Sequence, residues 1–431
     1  MKRKLIISLI SLTSFCASAA MTLNDCLIYA RDHAHTNRLQ MLSTEKAKAD
    51  QRISASSLMP SLSLSGSGNI SFGRNIDPET NTYDNKQTLS TGYGLYLSIP
   101  LFDGLVSVNS LKASQVARLR SVQAAQVEQD LISLEVIKAF YNVDYCKAMV
   151  GQMQIQLQRD STDLCATMRG EELGVKSGAD VAEMKAVVAT DRYELSNQRN
   201  LLAKAYLQLR GAMGMELSEE PLELEHDPSD EFLPGLSDSK HPRIAEAELA
   251  LKESEYNLRA EKGGFSPKIS LTGGVTSSYY KLMGSNLSAP GFGKQFKDNI
   301  GEYIALSISI PLFDGLANVN RVKRAKIEVE ESRTRLDRTI YEIERATTEA
   351  GLDLKAAADE LEAAQQRVEA EQLAYNAVRR KYELGNSSVI DLYTSSAKLA
   401  TAIANLEGKR IQKIISGITL SYYLGAKLIK E

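Results

Sequence analysis

The apolar positions of this 431-residue chain change their period abruptly at residue 104. Before that point they alternate with small polar residues, as in a strand with two unlike faces, and the apolar set is Tyr93, Leu95, Leu97, Ile99 and Leu101. After it, residues 105–172 contain no proline and follow a helical pattern. The pattern therefore predicts a strand that turns directly into a long helix.

The same strand-to-helix junction occurs twice. The segment S-I-P-L-F-D-G-L begins at Ser98 and again at Ser309. The same offset still holds far downstream, where Gly174 corresponds to Gly385. One register kept over such a distance indicates an internal duplication.

Each junction has the residues of a structural corner. Pro100 and Pro311 are expected to end their strands, because proline has no N–H for a strand ladder. Asp103 and Asp314 follow at positions suited to cap the next helix. We therefore interpret the motif as a fold element rather than a catalytic one.

The two long helical stretches are predicted to form coiled coils. Residues 105–172 and 316–383 each span 68 residues, about 100 Å at ~1.5 Å per residue. Apolar residues in the second stretch recur in steps of four and three, which is typical of coiled-coil packing. The predicted seam is Leu336, Ile340, Ile343, Thr347, Ala350, Leu354, Ala357, Leu361, Ala364, Val368, Glu371, Tyr375, Val378 and Tyr382. Thr347 and Glu371 interrupt it without an explanation in the pattern.

The duplication and the turn signals together predict the domain organisation. A Gly-containing turn ends each long helix, and a shorter helix returns over residues 179–213 and 390–424. Residues 22–57 are expected to be helical, with a break near 35–37. The predicted organisation begins with a signal peptide (1–19) and a first repeat (20–214), which contains a helix, a β-hairpin (58–102) and a helical hairpin (105–213). An acidic connector (215–240) follows. The second repeat (241–431) again contains a helix, a β-hairpin (265–313) and a helical hairpin (316–425).

The start of the chain is predicted to be a cleaved secretory signal. Residues 2–4 are basic, residues 5–12 are apolar, and residues 17–19 form a small-x-small cleavage site. Cys16 raises the alternative of a lipoprotein, which the bulky Phe15 before it disfavours. No later stretch has the ~18 uninterrupted apolar residues of a spanning helix. The sequence thus predicts an exported chain without a transmembrane helix.

The strands of the two hairpins allow two interpretations. One face is rich in Leu and Ile, and the other carries Ser, Gly, Thr and Tyr. Such strands could cover a soluble core, or they could form a membrane barrel that is apolar outside and polar inside. Small polar residues along the second face of an exported chain favour the barrel. Since single-chain barrels begin at about eight strands, four strands must share a barrel with other copies.

Composition excludes several other classes of function. Without the signal, 48 Lys and Arg stand against 54 Asp and Glu, which disfavours nucleic acid as a partner. The three remaining cysteines lack the spacing of a disulfide framework. His33 and His35 face different sides of a helix and make a poor metal pair. No catalytic, cofactor or metal motif is visible, so neither an enzyme nor a cofactor is predicted.

In this duplicated order, the motifs resemble those of the TolC-like outer-membrane efflux factors, over essentially the whole mature chain. The residues that carry the resemblance are the two S-I-P-L-F-D-G corners, Pro60 and Pro267 at the strand starts, the segment H-P-R-I at 241–244, and Y-E-L-G at 382–385 followed by I-D-L at 390–392. The resemblance implies a mainly α fold with a β-barrel portion. Four strands per chain contribute to a trimeric twelve-stranded outer-membrane barrel, above a periplasmic α-helical cylinder.

The resemblance also implies a function and partners. It predicts a homotrimeric channel of a tripartite efflux pump or a type I secretion system, without chemistry of its own. The channel would dock with a periplasmic adaptor and, through it, an inner-membrane pump or exporter. The loops 74–91 and 280–300 would face the cell exterior, and the glycine turns would form the periplasmic mouth. The rival interpretation is an exported coiled-coil structural or adhesin protein, which has no need of paired amphipathic hairpins.

Candidate site residues follow from the same resemblance. Asp391 matches an acidic residue that lines the constricted entrance, while Asp180 and Tyr382 match residues that hold neighbouring helices shut. Ser387 stands where a locking arginine is common, and Thr394 where a second acidic ring is common. A helix-cap role is the alternative for each aspartate. The positions expected to contact the adaptor are Leu173, Gly174, Ser177, Leu384, Gly385 and Ser388.

Overall fold

The computed structural model describes residues 20–76, 82–85, 87–218, 222–225, 240–283 and 290–428. The predicted signal peptide, residues 1–19, lies outside the described residues, as do most of the predicted connector and parts of both predicted outer loops.

Helices dominate the described part of the chain, and the strands form two small sheets. The helices are α1 (Leu23–His33), α2 (His35–Ser56), α3 (Val106–Glu172), α4 (Gly178–Met213), α5 (Pro242–Gly263), α6 (Phe292–Asp298), α7 (Ala317–Glu383) and α8 (Val389–Tyr423). The strands are β1 (Ser61–Ser71), β2 (Arg74–Ile76), β3 (Tyr83–Asn85), β4 (Thr88–Phe102), β5 (Lys268–Leu282) and β6 (Gly301–Ser309).

The long helices agree with their predicted bounds to within one residue. The helices α3 and α7 have 67 residues each and begin at equivalent positions of the two repeats, Val106 and Ala317. The predicted break near residues 35–37 is found one position earlier, at Ala34, whose extended backbone separates α1 from α2.

The described residues fall into two compact units, and each takes segments from both predicted repeats. Within the described residues, we call them the helical unit (20–42, 124–243 and 340–428) and the sheet unit (43–123 and 244–339).

The helical unit is held together by an apolar core drawn from four helices. Its fully buried side chains are Cys26 of α1, Val136, Phe140 and Val143 of α3, Leu209 and Met213 of α4, and Ile418 of α8. Burying one such side chain is worth roughly 1.5–3 kcal/mol.

The predicted seam of α7 is confirmed in its heptad repeat. Every seventh residue from Ile343 to Ala364 is buried, namely Ile343, Ala350, Ala357 and Ala364. Thr347 interrupts the apolar seam without harm, because its hydroxyl donates to the Ile343 carbonyl at 2.8 Å. Alanines at the buried positions leave room for a close neighbouring helix.

The sheet unit contains an antiparallel sheet in the order β1-β4-β5-β6. Its register places apolar residues opposite one another, for example Leu62 opposite Leu97 and Leu271 opposite Leu306. Ser63 pairs with Tyr96 on the alternate face. The predicted division into an apolar and a small polar face is therefore confirmed. Most of the apolar face is exposed in the single chain, since Leu64, Ile304, Leu306 and Ile308 all lie at the surface.

The connection between β5 and β6 contains a helix where the sequence suggested only a polar loop. Strand β5 extends beyond its pairing with β6, and α6 covers that free edge. The Tyr280 backbone N–H donates to Gln295 Oε1 at 3.0 Å, and Gln295 Nε2 donates to the Tyr280 carbonyl at 2.9 Å. One side-chain amide thus replaces a strand neighbour, which protects an exposed edge. A second deviation is the short β2–β3 pair in the first loop.

The strand-to-helix corners have the predicted caps. Asp103 accepts the Ser107 backbone N–H and Asp314 accepts that of Asn318, each at 2.8 Å. The chain turns through two successive left-handed residues, a glycine followed by Leu105 (φ 63°) or Leu316 (φ 68°).

The prediction that Pro100 ends its strand was wrong. Strand β4 continues to Phe102, because the register shifts between Pro100 and Phe102. An irregularity of this kind accommodates a residue without an N–H. Strand β6 does stop before Pro311, at Ser309.

Candidate functional site

The candidate site comprises the turns between α3 and α4 and between α7 and α8, which we call the first and second tips. Each tip is closed by a left-handed glycine, Gly174 or Gly385, with φ 75° in both. In the first, the Val175 N–H reaches the Gly170 carbonyl, and in the second the Asn386 N–H reaches the Lys381 carbonyl. This is the Schellman arrangement, which satisfies the last carbonyls of a helix.

The tips present apolar side chains to solvent. Leu173 is 72% exposed and Leu384 is 76% exposed, at equivalent positions of the two repeats. Nothing lies within 4 Å of a Cβ built on Gly174 or Gly385. The two tips are therefore open surfaces, and only the backbone conformation constrains their glycines.

The helix after each tip begins with a capping box. The Ser177 N–H donates to Asp180 Oδ2 at 2.9 Å, and the Asp180 N–H donates back to Ser177 Oγ at 3.2 Å. Ser388 and Asp391 repeat the arrangement at 3.0 and 3.1 Å. Ser177 and Ser388, expected as adaptor contacts, are thus the N-caps of α4 and α8.

The capping boxes hold both carboxylates in the ionised state. Hydrogen bonds from the Ser177 backbone and hydroxyl lower the pKa of Asp180. The Ser388 backbone and hydroxyl, joined by the hydroxyl of Ser387, lower the pKa of Asp391. The Ser387 hydroxyl lies 3.1 Å from Asp391 Oδ2. Each tip therefore carries a fixed negative charge at its cap.

Tyr382 joins the ends of α3 and α7. Its hydroxyl lies 2.9 Å from Thr167 Oγ1, and Lys176 Nζ lies 4.1 Å from the centroid of its ring. The hydrogen bonds of Asp180 go to Ser177 instead, so one chain does not bring Asp180 and Tyr382 together. The cation beside this tyrosine comes from the first tip, whereas Ser387 of the second tip is engaged with Asp391.

Sequence reasoning missed Thr167 and Lys176, because their contacts with Tyr382 join segments that are far apart in the sequence. It also missed a buried carboxylate pair, Asp160 of α3 and Asp191 of α4. The sequence contained one indication of this pair. The offset between the repeats aligns Asp160 with Glu371, the polar residue that interrupts the predicted seam of α7 without an explanation.

Two other features were sought among the described residues, a membrane-spanning helix and a metal site. No helix among them is both long and apolar enough to cross a bilayer. Nor do three or more His, Cys, Asp or Glu side chains converge there as metal ligands would.

Comparisons with known proteins agree on one family. The model of the outer membrane efflux protein family matches residues 34–215 and 233–426. The probable efflux pump outer membrane protein TtgC of Pseudomonas putida is 25% identical over 398 residues, which are 90% of this chain and 79% of that protein. The cation efflux system protein CusC of Escherichia coli is 22% identical over 395 residues, 90% of this chain and 83% of that protein.

Solved structures share the fold. A crystal structure of CusC has a TM-score of 0.81 at 19% identity, covering 94% of this chain and 92% of that one. VceC from Vibrio cholerae has a TM-score of 0.79 at 15% identity, covering 94% of this chain and 96% of that one. Since the family model covers most of the sequence, the chain belongs to the outer membrane efflux protein family, whose members lie in the outer membrane and extend into the periplasm.

Proposed function

We propose that the protein is the homotrimeric outer-membrane channel of a tripartite efflux pump or a type I secretion system. It conducts solutes or proteins from a periplasmic adaptor and an inner-membrane pump or exporter to the cell exterior. Within each chain, we assign the two sequence repeats as equivalent halves of this duct, each with one β-hairpin and one helical hairpin.

One observation carries the proposal, namely the incomplete sheet of the single chain. Strands β1 and β6 each have only one neighbour within the described residues. Leu64 at one edge and Ile304 at the other expose their apolar side chains. Open edges and a lipid-like face are unstable alone in a membrane, where every backbone group needs a partner. Three copies joined edge to edge supply those partners and close twelve strands.

The tips are the parts of the molecule that we assign to the adaptor. In this arrangement they lie at the periplasmic mouth. Leu173 and Leu384 supply exposed apolar contacts there, and the glycine turns keep the surrounding surface open. The loops between paired strands then face the exterior.

The gate is assigned to Asp391, Asp180 and Tyr382. In a trimer, Asp391 forms a ring of three charges at the entrance and favours cations. The Tyr382 hydrogen bond to Thr167 supports a latch between α3 and α7. Relatives are named for toluene, antibiotic and cation efflux, so we assign the choice of cargo to the pump partner rather than to the channel.

The test is to purify the full chain in detergent and measure its mass and conductance. The proposal predicts a stable trimer that forms ion-conducting pores in planar bilayers. A folded monomer without conductance would overturn the proposal. Crosslinking from Leu173 or Leu384 positions in intact cells identifies the adaptor, and the operon of that adaptor separates efflux from secretion.

A further inference from the structure

Two aspartates of the helical hairpin formed by α3 and α4, Asp160 and Asp191, are buried and lie within hydrogen-bonding reach of each other. Asp160 of α3 is 5% exposed and Asp191 of α4 is 2% exposed. Asp160 precedes the first tip on the outgoing helix, and Asp191 follows the tip on the returning helix. At ~3.6 residues per turn, both aspartates lie about four turns from the first tip.

The hydrogen-bond donors around this pair are too few for two ionised carboxylates. Gln156 Nε2 donates to Asp191 Oδ1 at 2.8 Å. Two of the remaining carboxylate oxygens, Asp160 Oδ2 and Asp191 Oδ2, are buried and accept from no donor group. Ionised carboxylates only accept hydrogen bonds, whereas a protonated one also donates. A single proton on Asp160 would therefore supply the missing donor to Asp191.

We propose that Asp160 and Asp191 form a proton-binding site, in which one shared proton holds the α3–α4 hairpin together, so that the hairpin loosens progressively as the pH rises. The site belongs to this chain whether or not the protein conducts. Any effect on the channel entrance rests on the function proposed above.

The charged groups around Asp160 and Asp191 are either engaged with other residues or acidic themselves, so they do not take the place of the shared proton. On α3, Arg159 lies over the ring of Tyr375 at 5.2 Å, and Asp163 adds a further negative charge. On α7, Arg379 is engaged with Glu383 at 3.2 Å, and its charge acts on Asp163. Two further titratable groups are nearby, Glu194 of α4 and Tyr393 of α8. Burial raises the pKa of Tyr393, and the negative charges of Asp191, Asp160 and Glu194 raise it further.

Electrostatics agree with this geometry. Burial raises the pKa of Asp160 to about 8, and the hydrogen bond and charge of Asp191 act in the same direction. In an opened hairpin the group returns to its ordinary pKa of 3.8. Since the closed hairpin holds a proton that the opened one loses, closure weakens as pH rises from about 4 to about 8 and levels off above that.

The second repeat provides a matched control. The positions equivalent to Asp160 and Asp191 are Glu371 and Ala402, so the duplication contains one carboxylate there instead of two. Glu371 is partly exposed on α7. A variant at Glu371 removes one acidic group at the same place along a long helix without touching the pair.

The test uses the full chain in detergent, in wild-type form and as Asp160→Asn and Glu371→Gln. The asparagine keeps the shape and the donor of a protonated aspartate but does not titrate. Infrared spectra of the wild-type protein should show a protonated carboxyl band at pH 7 that disappears above pH 8. Asp160→Asn should lack this band, and Glu371→Gln should keep it.

Hydrogen exchange supplies a second measurement. After correction for intrinsic rates, opening of residues 155–165 and 186–196 should rise about tenfold per pH unit from pH 5 to 7 in the wild type and in Glu371→Gln. It should stay constant in Asp160→Asn. A wild-type protein with no protonated band at pH 7, or an Asp160→Asn variant that keeps the wild-type slope, would overturn the proposal. The wild-type spectrum decides the matter even if a variant does not fold. If the proposed channel function were wrong, the mass and conductance measurements would show it. The infrared and hydrogen-exchange measurements do not depend on those results.

Discussion

The Tyr382 hydroxyl and Thr167 Oγ1 lie 2.9 Å apart, and this bond ties the end of α7 to the end of α3 in each chain. Lys176 lies over the face of the same ring at 4.1 Å. A cation above an aromatic face is worth ~0.5–1 kcal/mol at an exposed site. A tyrosine of the second hairpin is thus held by two groups of the first hairpin.

Tyr382→Phe should loosen this contact and raise single-channel conductance in planar bilayers. The phenyl ring remains under Lys176, so only the hydrogen bond is lost, at a cost of about 1 kcal/mol. Lys176→Gln should add to the effect, because it removes the cation and keeps the hydroxyl. Tyr341→Phe, at an exposed tyrosine of the same helix, is the control and should conduct like the wild type. Equal conductance of all four proteins would exclude a latch at Tyr382.

The local patterns of the sequence were sufficient for much of this fold. The heptad positions Ile343, Ala350 and Ala357 form a buried seam because a period of seven keeps them on one side of a helix. Asp103 caps α3 because its side chain needs only the backbone of the next turn. Information of this kind lies within a few residues and is visible in a single sequence.

Contacts between distant segments were not visible in the same way. The pairing of β4 with β5 joins hairpins from different repeats, and no local residue specifies which strands become neighbours. The side chain of Gln295 covers the edge of β5 from an unpredicted helix. Asp160 and Asp191 meet from opposite sides of the first tip, and each alone has the appearance of a solvated aspartate on a helix. These features result from packing between segments that are distant in the sequence, so the sequence pattern did not predict them.

The exposed leucines of the tips should be adaptor contacts. We expect Leu173→Ser and Leu384→Ser each to weaken adaptor binding about tenfold or more, since burying a leucine in an interface is worth roughly 1.5–3 kcal/mol. Binding of the purified adaptor to detergent-solubilised trimer is the measurement. Leu373→Ser is a matched control, because Leu373 of α7 is also 72% exposed but lies about three turns from the tip. Equal losses at Leu373 and Leu384 would show that the tip has no special role.

The two faces of β1 should respond oppositely to a charge. Leu64 is 80% exposed on the apolar face, and its neighbour Ser63 pairs with Tyr96 on the other. Leu64→Lys should reduce trimer yield in the outer membrane, because a lysine facing the bilayer midplane costs about 2–4 kcal/mol. Ser63→Lys should assemble normally and shift ion preference towards anions, since that face lines the lumen of the proposed channel. Normal assembly of both variants would mean that the apolar face does not meet lipid.

Variants of Asp391 can distinguish a structural role of its carboxylate, as a helix cap, from a functional role at the channel entrance. Asp180 and Asp391 occupy equivalent capping boxes, and hydrogen bonds lower the pKa of both. Loss of either carboxylate therefore removes the same cap, and helix stability should fall similarly in Asp180→Ala and Asp391→Ala. If Asp391 lines the entrance of a trimer, only Asp391→Ala should also reduce cation preference, because three charges leave the narrowest ring.

Reversal potentials in planar bilayers under a salt gradient measure this preference. Because hydrogen bonds hold the pKa of Asp391 below its ordinary value of 3.8, the wild-type preference should still be present at pH 3.8 and disappear only at more acidic pH, as the carboxylate protonates. Asp391→Glu restores the charge and should restore the preference, even where the cap geometry is imperfect. An Asp391→Ala channel with the selectivity of the wild type would leave this aspartate as a helix cap alone, and the entrance charge would have to come from another residue.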